Sequence, residues 1–412
     1  MSEFDAHLLT QEYLQNPYSY YRELRENDPV HWSERLSAWL LTRYDDVAAA
    51  FRDPRLLSGT RIPTYVAKLP EADRRTAQAL VDHIGTWVGF IDPPDHTRLR
   101  ALVSKVFTPR TVEQLRDQIQ AITDELLEAV LPTGRMDIVA DLAFPLPATV
   151  IGELLGLPRE DQQRFKQWSN DITQFLGAGT PHIDVTRQAR DSVNAIKDYL
   201  SVIFAERRRS PQDDLISRLL EVVEEGERLS EEELYGMCVF LLVAGHETTM
   251  SLITNGVLAL LRNQEQARAL RDDPAMAITA VEEFLRYDSP IQHQTRVARE
   301  DFHLDGKHVK AGQRVLPLLG AANRDPARFE DPDRLILSRK PNRHVAFGYG
   351  LHYCIGAPLA RLEGQIVFNA LLQGLPSLSL TEDTITWRED TSMRSPVTLP
   401  VRFDAGADAR RG

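Results

Sequence analysis

A mainly α-helical fold with a smaller β region is the fold class that the sequence predicts. Most of the chain carries apolar residues at helical spacing, and the longest such stretch runs from about residue 230 to 261. Short segments rich in β-branched and aromatic residues are confined to a few places. The sequence shows no internal repeats or low-complexity linkers. Residues 1–412 are therefore expected to form a single domain, with a disordered tail from about 405 to 412.

The predicted elements follow one another as helices, with strands near both ends. Helices are predicted at about 16–27, 44–52, 145–155, 159–176, 185–208 and 213–223, and two helical stretches broken at Thr108-Pro109 are predicted at 97–131. Strands are predicted at 30–32 and 38–42, at 302–320 with a hairpin turn at Asp305-Gly306, and near 384–403. Residues 58–95, with glycine and proline at both ends, are expected to be irregular.

Composition and charge exclude several function classes. The chain has 412 residues and a net charge of −12, which disfavours sequence-independent nucleic-acid binding because such binding relies on a basic surface. Its two cysteines, Cys238 and Cys354, form no disulfide framework, so a reducing cytoplasm is the expected setting. The N-terminal residues are polar and acidic, unlike a signal peptide. The longest strongly apolar run, about 237–245, is shorter than the roughly 18 residues that a membrane anchor needs.

The most informative segment reads Phe-Gly-Tyr-Gly-Leu-His-Tyr-Cys-Ile-Gly at residues 347–356. Cys354 lies directly before a predicted helix start, and a helix N-terminus stabilises an anion such as a thiolate. Gly348, Gly350 and Gly356 allow turns and let the backbone lie flat against a large group. A single thiolate in such a loop suits one axial bond to a haem iron, which leaves the opposite face free for oxygen.

Three other interpretations of Cys354 are weaker. A structural zinc site needs a second cysteine or histidine at ligand spacing, and the loop has no Cys-x-x-Cys pair. A catalytic cysteine with His352 as its base stays open, although residues two positions apart need not face each other. An inert buried cysteine would leave the glycines unexplained.

The run Phe347-x-x-Gly350-x-x-x-Cys354-x-Gly356 resembles the haem-binding signature of the cytochrome P-450 superfamily. The resemblance implies the fold of that family, in which haem b lies between a long distal helix and the helix that follows the cysteine loop. It also implies that Cys354 is the iron ligand and that Phe347, Gly348 and Gly356 contact the haem.

The predicted helix at 230–261 is the second informative feature. Ser230-x-x-Glu233 is a capping box at its start. About 30 residues of helix would span about 45 Å, which is long enough to cross the domain. In its centre Ala244 and Gly245 are small at positions where a bulky side chain would block a planar cofactor.

Glu247 and Thr248 follow as an acid and a hydroxyl in an otherwise apolar helix. Such a pair can deliver protons to reacting oxygen, directly or through water. The alternative is that Glu247 is a surface charge and that Thr248 bonds back to its own helix. The stretch resembles the distal oxygen-binding motif of the same family, which implies that Thr248 and Glu247 are catalytic. His246 could be read as a second haem ligand. Neighbouring helical residues are rotated by about 100° from one another, so if Thr248 faces the iron we expect His246 to pack or to form a salt bridge instead.

Glu283 and Arg286 are three residues apart and can pair on one face of a helix. Their position resembles the Glu-x-x-Arg motif of the family, which implies a structural ion pair beneath the haem-binding core. The stretch 323–334 resembles the segment whose arginine completes that network, and Arg334 is the candidate. Leu335 stands where the family usually has an aromatic residue.

The two propionates of haem need cationic or hydrogen-bond-donor partners. His96 and Arg100 are four residues apart on one face of a predicted helix, and their stretch resembles the propionate-binding helix of the family. Arg296 and His352 match two further propionate contacts by the same resemblance. Arg98 points elsewhere by its spacing and is expected at the surface.

The resemblance implies a haem-thiolate monooxygenase that inserts one atom of dioxygen into a hydrophobic small molecule, by hydroxylation or epoxidation. No flavin or dinucleotide domain is recognised in the sequence, so electrons are expected from a separate ferredoxin and ferredoxin reductase. Basic residues that are candidates to meet an acidic ferredoxin are Lys105, Arg110 and Arg361. The protein is expected to be a monomer.

By family position, the substrate pocket takes Phe240, Val243, Ala244, Ile291 and Met393. This mainly apolar lining predicts a polyketide, terpenoid, steroid or fatty acid as substrate, as in bacterial natural-product metabolism. Two other functions stay open. One is a peroxygenase driven by hydrogen peroxide, against which the acid and hydroxyl pair argues, and the other is a non-enzymatic haem sensor or electron-transfer protein.

Overall fold

A computed structural model describes residues 2–177, 182–224, 229–375 and 377–404. The tail at 405–412 lies outside the described residues. The α-helices are α1 (Glu3–His7), α2 (Gln11–Gln15), α3 (Pro17–Asn27), α4 (Tyr44–Ala50), α5 (Arg61–Val66), α6 (Glu71–Ile84), α7 (Asp95–Val106), α8 (Pro109–Glu113), α9 (Arg116–Val130), α10 (Pro145–Leu155), α11 (Gln162–Gly177), α12 (Ile183–Arg209), α13 (Leu215–Glu224), α14 (Glu231–Arg262), α15 (Gln264–Asp272), α16 (Ala277–Tyr287), α17 (Leu319–Ala322) and α18 (Ala357–Gly374).

The strands form small sheets beside the helices. They are β1 (Val30–Ser33), β2 (Ala38–Leu41), β3 (Leu56–Leu57), β4 (Arg135–Asp137), β5 (Arg296–Ala298), β6 (Phe302–Leu304), β7 (Lys307–Val309), β8 (Arg314–Pro317), β9 (Ser379–Leu380) and β10 (Pro400–Arg402). The largest sheet has the order β1-β2-β8-β5-β3, β10 lies between β4 and β9, and β6 pairs with β7. The mainly α-helical fold class is confirmed.

The hairpin predicted at Asp305-Gly306 is confirmed. These residues connect β6 to β7, with φ of +49° at Asp305 and +75° at Gly306. Such left-handed values at both central positions are typical of a two-residue hairpin turn.

The prediction of an irregular segment at 58–95 is wrong, because α5 and α6 lie within it. Ala77, Leu80 and Ile84 of α6 are fully buried, and their spacing of three and four residues places them on one helix face. Tertiary packing of this face stabilises a helix whose flanking glycine and proline residues suggested a loop.

The core of the molecule is organised around α14. This 32-residue helix packs against α10, α16 and α18. The predicted capping box is confirmed, since the Ser230 hydroxyl accepts from the Glu233 N–H at 3.2 Å and Glu233 Oε2 accepts from the Ser230 N–H at 2.8 Å. Arg98 of α7, which was expected at the surface, bonds to Glu233 and ties α7 to the start of α14.

Two segments of the described residues are long and apolar enough to cross a membrane, Ile138–Leu155 and Glu231–Arg262. Most of each is buried inside the protein, 61% of the first window and 78% of the second. Their apolar character is therefore accounted for by packing in the core.

Candidate active site

The loop before α18 holds Cys354 by its backbone. The Cys354 N–H donates to the Phe347 carbonyl at 3.0 Å. Gly348 has φ of +71°, a value that disfavours a β-carbon. Gly356 is the N-cap of α18, which begins at Ala357. The loop thus fixes the cysteine at the positive end of an 18-residue helix.

The surroundings of the Cys354 thiol include groups that raise its pKa and groups that lower it. Burial raises its pKa, whereas the N–H groups of Gly356 and Ala357 and the guanidinium groups of Arg100 and Arg361 act to lower it. A β-carbon at Gly356 would lie 3.9 Å from the Cys354 sulfur. The glycine therefore leaves the space beside the sulfur open to a ligand.

One face of α14 is not covered by other side chains. Between Leu234 and Leu260 every residue is buried except Phe240, Ala244, Gly245 and Thr248. Phe240, Ala244 and Thr248 recur every fourth residue, so they form one stripe along the helix. This uncovered stripe is the part of α14 that is available to a cofactor or substrate.

Gly245 has a different role from the one that the sequence suggested. A β-carbon at this position would lie 2.9 Å from Cγ1 of Ile151 in α10. The glycine therefore lets α14 approach α10 closely, and its missing side chain points towards α10. Of the two small residues, only Ala244 lies in line with Phe240 and Thr248.

The Thr248 hydroxyl donates to the Ala244 carbonyl at 3.0 Å. This is the bond back to the helix that the alternative interpretation anticipated. Thr248 nevertheless lies on the uncovered stripe, and its oxygen keeps lone pairs to accept a further hydrogen bond. The two interpretations of Thr248 are therefore compatible.

Glu247 is buried in an ion pair with Arg388, a residue that the sequence analysis did not find. Arg388 Nη1 donates to Glu247 Oε2 at 2.6 Å, and His246 Nε2 lies 3.6 Å from Oε1. Burial acts to raise the pKa of Glu247, but His246 and Arg388 outweigh it and lower the pKa to about 2. Glu247 is thus an ionised carboxylate at neutral pH, neither a surface charge nor a protonated acid.

His246 packs as the sequence predicted. Its Nδ1 lies 2.8 Å from the Leu242 carbonyl, and its ring meets Phe144 edge to face at 5.6 Å between centroids. Its salt bridge to Glu247 completes this environment.

The four predicted propionate contacts come together beside the cysteine loop. The rings of His96 and His352 lie 4.2 Å apart between centroids, and Arg100 and Arg296 both act electrostatically on His352. Burial, with Arg296 and the other nearby cations, lowers the pKa of His352 to about 3. We call His96, Arg100, Arg296 and His352 the cationic cluster.

Within the part of the chain that the structure describes, several polar atoms of the cationic cluster are buried without a hydrogen-bond partner. They are both ring nitrogens of His96, Nδ1 of His352 and Nη2 of Arg296. Unpartnered buried polar groups are rare in folded proteins, so this cluster requires acceptor atoms from a ligand. Two carboxylate groups meet that requirement, and the residues present therefore fit the propionates of a haem.

The Glu283 and Arg286 pair is completely buried. Arg286 Nε and Nη2 donate to the two carboxylate oxygens of Glu283, each at 2.8 Å. Arg286 also donates to the carbonyl groups of Asn323 at 3.0 Å and Pro332 at 2.7 Å. The pair therefore ties α16 to the chain that leads into the cysteine loop.

The third residue of this network is Arg339, and the prediction of Arg334 is wrong. Arg339 Nε lies 3.1 Å from Glu283 Oε2. The Arg334 side chain is 74% exposed and pairs with Asp331, and only its carbonyl accepts from Arg286. Arg334 closes a turn that begins at Asp331, where φ is +43°, so its side chain points into solvent.

The predicted pocket residues come from several elements. Phe240 and Ala244 lie on the uncovered stripe of α14, whereas Val243 is only 5% exposed. Ile291 and Met393 face each other in an isolated antiparallel bridge. These positions are mainly apolar, as expected.

Arg361 does not present a free positive charge. Its Nε and Nη2 lie 2.6 and 2.9 Å from the two carboxylate oxygens of Glu282. This pairing corrects its expected role in meeting an acidic partner, because its charge is already compensated inside the protein. Arg110 is exposed at the start of α8.

Comparison with known proteins agrees with this fold. The family described as Cytochrome P450 matches residues 65–400. The chain is 41% identical over 410 residues to the polyketide biosynthesis cytochrome P450 PksS of Bacillus subtilis (strain 168), which covers 97% of this chain and 99% of that protein. It is 40% identical over 416 residues to the cytochrome P450 monooxygenase PikC of Streptomyces venezuelae, with 99% and 96% covered.

A solved structure gives the same result for the fold. The crystal structure of P450BioI, in complex with an acyl carrier protein ligated to hexadec-9Z-enoic acid, matches with a TM-score of 0.88 and 39% identity. The match covers 95% of this chain and 99% of that one.

The fold, the cysteine loop and the cationic cluster are together those of a haem-thiolate enzyme. The chain belongs to the cytochrome P450 family. It is a monooxygenase of the bacterial type, an oxidoreductase with haem b as its cofactor, and it acts on small molecules with dioxygen and redox partners.

Proposed function

We propose that this enzyme oxidises hydrophobic acyl-chain compounds, such as polyketides or fatty acids, in bacterial natural-product metabolism. The observation that carries the proposal is the uncovered stripe of α14, where Phe240 and Ala244 lead along the helix to Thr248. An apolar wall that leads to one hydroxyl suits a long hydrocarbon chain. The names of two relatives, which cite polyketide biosynthesis and a fatty-acyl carrier protein, support the same substrate class.

The proposal assigns the haem to the residues already described. Cys354 would bind the iron, Phe347, Gly348 and Gly356 would contact the haem, and the cationic cluster would hold the propionates. When bound, haem would supply the activation of dioxygen, with electrons from the redox partner, and the transfer of one oxygen atom to the substrate. The protein positions the substrate and controls the supply of protons.

Thr248 and Glu247 are the proposed proton-handling residues. The Thr248 hydroxyl is the last protein group on the path of protons to the reaction, because it alone of the two lies on the uncovered stripe. Glu247 has a pKa of about 2 while Arg388 holds it. It therefore carries a proton only when that ion pair opens. Arg388 thus limits the transfer of protons from Glu247 to Thr248.

The domain, the oligomeric state, the cell compartment and the redox partner of the enzyme can also be proposed. We assign the chain to a single catalytic domain that works as a monomer in the cytoplasm. A separate ferredoxin with its reductase supplies the electrons, and Ile291 and Met393 contribute to the substrate pocket. The support for the cytoplasm is that both cysteines, Cys238 and Cys354, are free thiols.

A ligand screen tests the substrate class. The purified haem protein would be titrated with free fatty acids, polyketide lactones and steroids of similar size, and the change in haem spin state would be recorded. We expect long-chain acyl compounds to bind and to be hydroxylated with one labelled oxygen atom from ¹⁸O₂. Binding of steroids alone, with no acyl compound bound or oxidised, would contradict the proposal.

A further inference from the structure

Arg61, the first residue of α5, lies beside the cationic cluster and has no role in the family signature described above. The carboxylate of Asp92 holds the segment before it, accepting from the N–H groups of Ser58 at 2.9 Å and Gly59 at 2.8 Å. The same carboxylate lies 3.9 Å from Nε2 of His352. Asp92 thus places the start of α5 next to the cluster.

The contacts of Arg61 leave its charge uncompensated. Nη2 donates to the Gly89 carbonyl at 2.9 Å, and the guanidinium lies 3.3 Å from the centroid of the Phe90 ring. Its Nε is buried and has no hydrogen-bond partner among the described residues. Burial and the nearby Arg296 lower the pKa of Arg61 well below its ordinary value, and only Asp92 opposes them.

A count of charges indicates what Arg61 binds. Arg61, Arg100 and Arg296 bring three positive charges, and Asp92 is the one carboxylate of the described residues that acts on Arg61 and Arg296. Burial lowers the pKa of both cluster histidines, so they are neutral near pH 7. The Cys354 sulfur, which also acts on Arg100, would bind the iron and is left out of this count. Among the remaining groups, three positive charges and one carboxylate leave an excess of two, which equals the charge of two propionates. Without Arg61 the excess would be one.

We propose that Arg61 is the third guanidinium of the haem propionates, and that its unpartnered Nε donates to a propionate oxygen. The inference rests on the proposed propionate contacts of the cationic cluster and adds a residue from a different element. Arg61 lies next to Phe90 and Gly89, and a β-carbon at Gly89 would lie 3.0 Å from Cζ of Phe240. The same guanidinium would therefore connect the propionates to the wall of the substrate pocket.

The test measures how fast each variant gives up its haem. Arg61→Met keeps the length of the side chain and removes the charge, whereas Arg61→Lys keeps the charge. We expect Arg61→Met to transfer haem to apomyoglobin about tenfold faster or more than the wild type. Arg61→Lys should stay closer to the wild-type rate. The reduced carbon monoxide spectrum should be unchanged in both, because Cys354 remains.

Two matched variants distinguish the role of Arg61 from the role of the cationic cluster. Arg75→Met removes an exposed arginine of α6 and should leave the transfer rate unchanged. Arg296→Met should accelerate transfer. A wild-type rate in Arg61→Met beside a fast Arg296→Met would overturn the role of Arg61 alone, and wild-type rates in both would overturn the cationic cluster as well. Equal acceleration of haem transfer by Arg61→Met and Arg61→Lys would contradict the charge balance from which the role of Arg61 is inferred.

A substrate carboxylate is the other anion that Arg61 could hold. Hexadec-9Z-enoic acid and the corresponding alcohol would be titrated against the wild type and Arg61→Met, with haem spin state as the readout. We expect the variant to bind the acid and the alcohol in the wild-type ratio. A wild-type rate of haem transfer together with a selective loss of the acid would assign Arg61 to the substrate and overturn the propionate role.

Discussion

Glu247 and Arg388 are 141 positions apart in the sequence and form a 2.6 Å ion pair. The carboxylate belongs to the buried centre of α14, and the guanidinium comes from the chain between β9 and β10. The pair keeps Glu247 ionised, because Arg388 lowers the pKa of the carboxyl group. It therefore contributes to the stability of the fold, and in the proposed proton path it controls when Glu247 can carry a proton.

Removing one partner of this pair should destabilise the protein strongly. Arg388→Leu would leave the Glu247 carboxylate buried with only His246 beside it, at a cost of about 3 kcal/mol in the free energy of unfolding. Urea denaturation of the single variants and of Glu247→Gln with Arg388→Leu measures the coupling. The double variant should lose less stability than the sum of the two single changes, and simple additivity would contradict a direct interaction.

The pH dependence of this contribution has a defined sign. The folded-state pKa of Glu247 is about 2, below the ordinary value of 4.5, so the unfolded chain takes up the proton first as the pH falls. The stability that Glu247 contributes is therefore present above pH 4.5 and is lost as the pH falls towards 2. The stability difference between wild type and Glu247→Gln should be constant near neutral pH and shrink in acid. A difference that grows in acid would refute the ion pair.

Thr248→Ala should uncouple electron use from product formation. Substrate should still bind and reductant should still be consumed, but the electrons should leave as hydrogen peroxide because the hydroxyl that hands on protons is missing. The measurement is the ratio of product formed to reductant consumed. Thr254→Ala is the control, since Thr254 makes the same kind of bond to Met250 at 2.8 Å but lies in a fully buried part of α14. Equal coupling in both variants would remove Thr248 from the proton path.

Arg339 and Arg334 offer a matched comparison. Arg339→Leu should cost about 1.5–3 kcal/mol, because it removes one of the two cations paired with the fully buried Glu283 carboxylate. Arg334→Leu should change stability by about 0.5 kcal/mol or less, because that side chain points into solvent. Thermal or urea unfolding of the two variants shows which arginine belongs to the buried network. The opposite order would restore Arg334 to the network.

Substitution of Cys354 and substitution of Cys238 should have different effects on the haem spectrum. Cys354→Ser should abolish the red-shifted Soret band that thiolate-bound haem shows with carbon monoxide in the reduced state. Cys238→Ser should keep the band, because Cys238 is only 1% exposed and burial in the core raises the pKa of its thiol. A lost band in Cys238→Ser with an intact one in Cys354→Ser would contradict the assignment.

The residues that the sequence revealed are those whose function depends on neighbours in the chain. Cys354 could be recognised because its glycines and the helix start lie within a few residues of it. The capping box of α14 and the Glu283 and Arg286 pair could be recognised for the same reason, since helical spacing brings three-residue neighbours together. Loop and helix geometry within a few residues is enough to predict where these side chains lie relative to one another.

The residues that only the tertiary structure revealed act across long distances in the chain. Arg388 meets Glu247 and Arg339 meets Glu283 only after distant segments have packed, and no local pattern marks either arginine. Arg61 lies in the segment that was expected to be irregular, where packing stabilises α5 and α6. The sequence by itself determined which chemistry this protein carries out. The tertiary structure decided the charge state and the partners of the groups involved, because burial and long-range ion pairs set those properties.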